Sequence, residues 1–237
     1  MQTEPISQST TQRPYPFVKR IPILDVFKSK DLYKAIAYFI GLQLVVVFIS
    51  LDAMGDTFNG IYATTAVCLS AMLITLALQG MQKRYKQQVK IATNTIHPVR
   101  SVVEVFLIIL VMLIALVLAT FVYNLLGITM PTQPNQESLT ALTTQLPIIM
   151  LFFMIIVAPI IEEYIFRELL PHTIGVSYIS FIASSILFAV VHAPFGLMGW
   201  TSYMILTAGF LYARLYRNNI YYAIAVHMIW NLLSVLA

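Results

Sequence analysis

The chain has 237 residues, of which 59% are apolar and 10% charged, with a net charge of +4. An ordinary soluble domain carries about 25% charged residues, so the composition points to an integral membrane protein. The positive charge lies mostly in the N-terminal tail and a few short loops, which suits anionic lipid headgroups and not a nucleic-acid partner. The single cysteine, Cys68, excludes an intrachain disulfide and any CxxC-type metal site, and it reads as packing.

Residues 1–31 are polar and lack the apolar core of a cleavable signal peptide, so they read as a cytoplasmic tail. Within it, Ile21 to Phe27 is flanked by Lys19, Arg20, Lys28 and Lys30, the pattern of a short interfacial segment. Apolar runs of about 20 residues, the length that crosses ~30 Å of hydrocarbon, then place seven spans. They cover Leu32–Leu51, Gly60–Met81, Val102–Leu126, Gln145–Leu170, Val176–His192, Leu197–Tyr216 and Ile220–Leu236. The expected fold is therefore an all-α polytopic membrane protein. Residues 32–144 form three N-terminal helices and loops, and residues 145–237 form a second unit that holds the chemistry.

Basic residues mark alternate connections: the tail, the 82–101 loop, Arg167 at the end of span four, and the turn at Arg214 and Arg217. The connections at 52–59, 128–144 and 193–196 hold no Lys or Arg. That alternation predicts an N-inside, C-outside topology. The small residues Ser177, Ser180, Ala183, Ser184 and Ser185 read as helix packing.

Three polar clusters interrupt the apolar runs of the second half, where each buried charge is expensive and a functional candidate. The first holds Glu162, Glu163 and Arg167; Glu163 and Arg167 share a helical face at i,i+4 and can pair, while Glu162 is turned about 100° away. The second is Phe188 with His192, and the third is His227 with Asn231, each again one turn apart on one face. Gln43 and Lys34 in the first half read as isolated. Taken singly, His192 and Asn231 suit interhelical hydrogen bonds. Taken together, two carboxylates, two imidazoles and an amide on three helices cost too much in lipid unless they converge. Converged, they offer a general base, and either metal ligands or donors to an oxyanion, which is equipment for amide hydrolysis.

These motifs, in this order on successive helices, resemble the CPBP family of CAAX-protease and bacteriocin-processing (Abi) intramembrane endopeptidases, over about residues 145–236. The resemblance implies that Glu162 activates the attacking water, that Glu163 is the second motif glutamate with Arg167 as its partner, and that His192, His227 and Asn231 complete the site, with Phe188 in support. It implies either a glutamate-dependent protease or a metalloprotease; Glu162, His192 and His227 would make a three-ligand Zn²⁺ site. The expected partners are a peptide or protein substrate and the lipid bilayer, at the plasma membrane in a bacterial host. Competing readings are a non-catalytic scaffold or bacteriocin-immunity protein that keeps the motif, and a proton-coupled carrier.

One expectation conflicts with simple span counting. Glu162 lies roughly ten residues from the cytoplasmic end of span four, but His192 lies about 16 residues into span five. That places the histidine ~10 Å deeper, unless Pro159, Pro171 or Pro194 tilts a helix or residues 169–177 lengthen span four.

Overall fold

The computed structural model describes residues 22–53, 60–89, 98–128, 143–144 and 147–236. The expectations for residues 1–21 and for connections within 54–59, 90–97 and 129–142 lie outside these residues. The described residues form an all-α bundle. A short α1 (Ile23–Val26) precedes α2 (Lys30–Ala53), α3 (Ile61–Val89) and α4 (Pro98–Leu125). A composite α5 covers residues 147–174, followed by α6 (Tyr178–Val191), α7 (Gly196–Tyr216) and α8 (Ile220–Leu236). The seven expected spans correspond in order to α2–α8. Four of them, α2 to α5, are long and apolar enough to cross a membrane, and α6 and α8 are shorter apolar helices. The chain is a multi-pass integral membrane protein.

The central element is α5. Half of its apolar stretch is buried inside the bundle, against 22% for the peripheral α4. Met150, Phe153, Val157, Ile161, Ile165 and Leu169 recur every three or four residues and are all buried, which gives α5 a continuous inner stripe. It packs against α2, α3, α6 and α8. The approach of α3 is close because Gly80 faces Tyr164, and a Cβ there would overlap the tyrosine hydroxyl.

Two prolines shape α5. Proline has no N–H, and its ring crowds the carbonyl four residues earlier. Ahead of Pro159 and Pro171 the helix opens into π turns, Phe153–Val157 and Ile165–Leu169. In each, the residue before the proline reaches back five positions: Ala158 N–H bonds Phe153 O, and Leu170 N–H bonds Ile165 O. The next carbonyls, Met154 O and Phe166 O, would take their five-back donor from a proline, which has none. Neighbouring helices supply it. The Asn231 Nδ2 of α8 donates to Met154 O at 2.8 Å, and the Ser184 hydroxyl of α6 donates to Phe166 O at 2.5 Å. An unserved carbonyl at membrane depth costs several kcal/mol, so these side chains make the distorted helix tolerable.

The depth conflict resolves in the same region. α5 continues to Ile174 and ends at Gly175, whose φ of 95° favours glycine. A capping box between Ser177 and Ser180 then starts α6. From Glu162 to Ile174 is about 18 Å of helix, and from Tyr178 to His192 about 21 Å, so the two side chains reach similar depth. At 14 residues, α6 stops short of the ~30 Å core because it ends at the site.

Ion pairs tie helix ends together on one face of the bundle. Asp31 of α2 meets Arg84 of α3 at 2.5 Å, Arg84 reaches Glu168 of α5 at 3.9 Å, and Arg214 of α7 meets Glu168 at 2.9 Å. Arg217, just after α7, pairs with Glu104 of α4, which also takes Arg100 at 3.0 Å. The start of α2, the ends of α3, α5 and α7, and the start of α4 therefore share one face, so these helices alternate in direction. Arg167 is the exception to the sequence expectation: it is not a loop-end charge but is fully buried inside the bundle.

Candidate active site

The stretch Ala158–Tyr164 is a short α-helical segment held between the two π turns, and it carries both glutamates. π turns recur at functional sites because they rotate side chains away from regular helical directions. Glu163 points into the protein and is fully buried. Its Oε1 accepts from His227 Nδ1 at 3.0 Å, and its Oε2 lies 3.4 Å from Arg167 Nε. The Arg167 guanidinium, also fully buried, donates to Thr207 Oγ1 at 2.8 Å and stacks over Phe188, 5.1 Å from the ring centre. The partner expected for Glu163 is therefore present, with His227 as a second one.

Glu162 faces the other way. Its Oε2 lies 3.7 Å from His227 Nε2 and 3.9 Å from His192 Nε2. The tautomers follow from the other ring nitrogens. His192 Nδ1 sits 2.7 Å from Phe188 O, which only accepts, so Nδ1 carries the proton. His227 Nδ1 donates to the Glu163 carboxylate. Both imidazoles thus turn Nε2 toward Glu162. Aromatic rings hold them there: Phe210 stacks on His227 with centroids 4.2 Å apart, and Phe188 lies 4.4 Å from His192.

These groups open onto a cavity of about 270 Å³, lined by Glu162, His192, His227 and Asn231. Helix α2 contributes Phe39, Leu42, Gln43 and Val46 to its lining. The five residues singled out from sequence as catalytic thus fall in or beside one cavity. Asn231 carries a double load, since its Nδ2 serves Met154 O while the side chain lines the cavity. Sequence reasoning passed over Gln43 as isolated, and gave no role to Thr207, Glu104 or Glu168. The available signal was the same in each case, a polar group inside an apolar run, but the contacts to Arg167, Arg217 and Arg214 that fix Thr207, Glu104 and Glu168 are distant in sequence.

Glu162, His192 and His227 are a chemically suitable donor set for zinc. A tetrahedral ion with bonds of ~2.0–2.1 Å sets neighbouring donors about 3.3–3.4 Å apart, closer than the 3.7 and 3.9 Å here. Among the described residues, no group of three such side chains encloses a metal position.

Residues 144–233, which contain all of these motifs, match the Rce1-like family, described as type II CAAX prenyl endopeptidase Rce1-like. The resemblance to that protease class holds over this stretch. The Rce1-like segment comprises α5 to α8, so α2 brings its cavity wall from outside it. The chain is also 36% identical over 106 residues to the UPF0177 protein YvdC of Lactococcus lactis subsp. lactis (strain IL1403). That alignment covers 43% of this chain and 40% of YvdC, so the chain spans less than half of that relative's length. No solved structure matches the chain.

Proposed function

We propose that the protein is an intramembrane endopeptidase that hydrolyses a peptide bond of a peptide or membrane-associated protein. The observation that carries this reading is the convergence of one carboxylate oxygen and two imidazole Nε2 atoms around a single position at the cavity wall. A water there meets three acceptors and donates its two hydrogens among them. Glu162 is the general base: it takes one proton as the water oxygen attacks the carbonyl carbon, then returns it to the leaving amine. His192 and His227 hold the water's orientation, with Glu163 and Arg167 fixing the His227 tautomer. Asn231 keeps one of its two N–H groups free of Met154 O and directs it to the developing oxyanion. The Rce1-like match supports the reaction class and leaves the substrate open.

The test is substrate capture. A Glu162→Gln protein keeps the cavity but loses the base, so an expressing membrane should yield co-purifying peptides identifiable by mass spectrometry. The wild type, with and without chelator, should then cleave those peptides. Loss of cleavage on chelation with recovery on adding Zn²⁺ would replace the held water by a metal-bound one at the same three residues. Capture of nothing, together with no cleavage, would favour a non-catalytic scaffold.

A further inference from the structure

Gln43 sits near the middle of the membrane-length helix α2. It lies 13 positions after Lys30, about 20 Å along the 24-residue α2. Phe39, Leu42, Gln43 and Val46 follow i, i+3, i+4, i+7 spacing and all line the cavity that Glu162 borders, with the Gln43 side chain exposed. The Gln43 carboxamide has no hydrogen-bond partner within the described protein. A carboxamide in such surroundings is costly while unpaired. Of the neighbouring cavity groups, Ser234 donates to Trp230 O at 3.0 Å, Asn231 gives one of its two N–H groups to Met154 O, and both imidazole Nε2 atoms face Glu162.

The chemistry such a group fits is that of a peptide unit taken out of secondary structure. Cleavage inside a membrane needs a substrate segment whose helix is locally broken, which leaves backbone N–H and C=O groups without partners. A carboxamide presents one acceptor and two donors, so it matches both halves of a peptide unit. We propose that Gln43 is a substrate-binding residue that pairs with the backbone of an apolar, locally unwound peptide segment lying between α2 and Glu162. The inference rests on the endopeptidase reading for the nature of the ligand, and it assigns α2, outside the Rce1-like segment, a share in recognition.

The experiment measures binding apart from chemistry. The probe is a labelled 24-residue Leu/Ala transmembrane peptide with a central Gly-Pro break, placed in liposomes with purified protein. A set of ester analogues, each replacing one backbone N–H around the break by oxygen, completes it. Affinities are measured in the Glu162→Gln background with Gln43 present and with Gln43→Met, and cleavage is measured in the wild type. One ester position should weaken binding about five- to tenfold when Gln43 is present, the loss expected of one hydrogen bond. Gln43→Met should weaken the all-amide peptide by a similar factor and abolish the difference between amide and ester. In the cleavage assay, Gln43→Met should raise KM more than it lowers kcat. Equal ester sensitivity with and without Gln43, or a probe that does not bind at all, overturns the inference. Backbone coupling at Gln43 with no cleavage by the wild type would instead sink the endopeptidase reading and leave Gln43 as a peptide-binding group.

Discussion

At the scale of residues, the adjacent glutamates divide into two kinds of carboxylate. Glu162 borders the cavity, while Glu163 is sealed between Arg167 and His227. Removing one member of a buried ion pair leaves the other charge uncompensated, which costs about 3–5 kcal/mol, far more than the pair's net contribution. Glu163→Ala should therefore lower stability by that order, read as thermal unfolding in detergent. The double variant Glu163→Gln with Arg167→Met should recover much of the loss. Single and double variants that melt alike would show that the pair is not holding the bundle. The i,i+4 spacing made this pair legible in the sequence. The His227 contact was not, because it spans 64 positions and depends on how α5 and α8 pack.

At the scale of elements, the apolar runs located every helix, because twenty apolar residues have few alternatives to a membrane span. The end of span four moved, from Leu170 to Ile174, because Gly175 and the Ser177 cap set the α5–α6 turn, while α6 stops at His192 as the run predicts. The π turns were not legible. The two prolines announced a disturbance, but whether a helix breaks or widens depends on a donor from another helix. That dependence is measurable. Asn231→Ala should destabilise by about 1–3 kcal/mol, since it orphans the part-buried Met154 carbonyl. Pro159→Ala restores the missing N–H, so the same Asn231→Ala change made in that background should cost much less, a coupling that a double-mutant cycle in thermal unfolding reads directly. Additive losses would mean that Asn231 is not the proline's substitute donor.

At the scale of the whole molecule, the ion pairs that gather the ends of α2, α3, α4, α5 and α7 on one face agree with the alternation of basic connections seen in the sequence. The acidic halves of those pairs, Asp31, Glu104 and Glu168, were the unread part, since orientation rules count Lys and Arg alone. An N-inside topology predicts that Lys28→Cys and Lys83→Cys, in a Cys68→Ser background, are labelled by an impermeant maleimide in inverted vesicles. Leu126→Cys, at the other end of α4, should be labelled in right-side-out vesicles. Labelling of all three from one side would contradict the alternating arrangement.

The same whole-molecule geometry makes one cavity out of α2, α5, α6, α7 and α8, with Glu162 on its wall. The most direct test is the single-turnover cleavage rate of a captured peptide by purified wild type and by Glu162→Gln, with thermal unfolding of both. Glu162→Gln should be slower by at least about 100-fold, the lower end of what a positioned general base contributes, with no change in melting. Equal rates for the two proteins would contradict it.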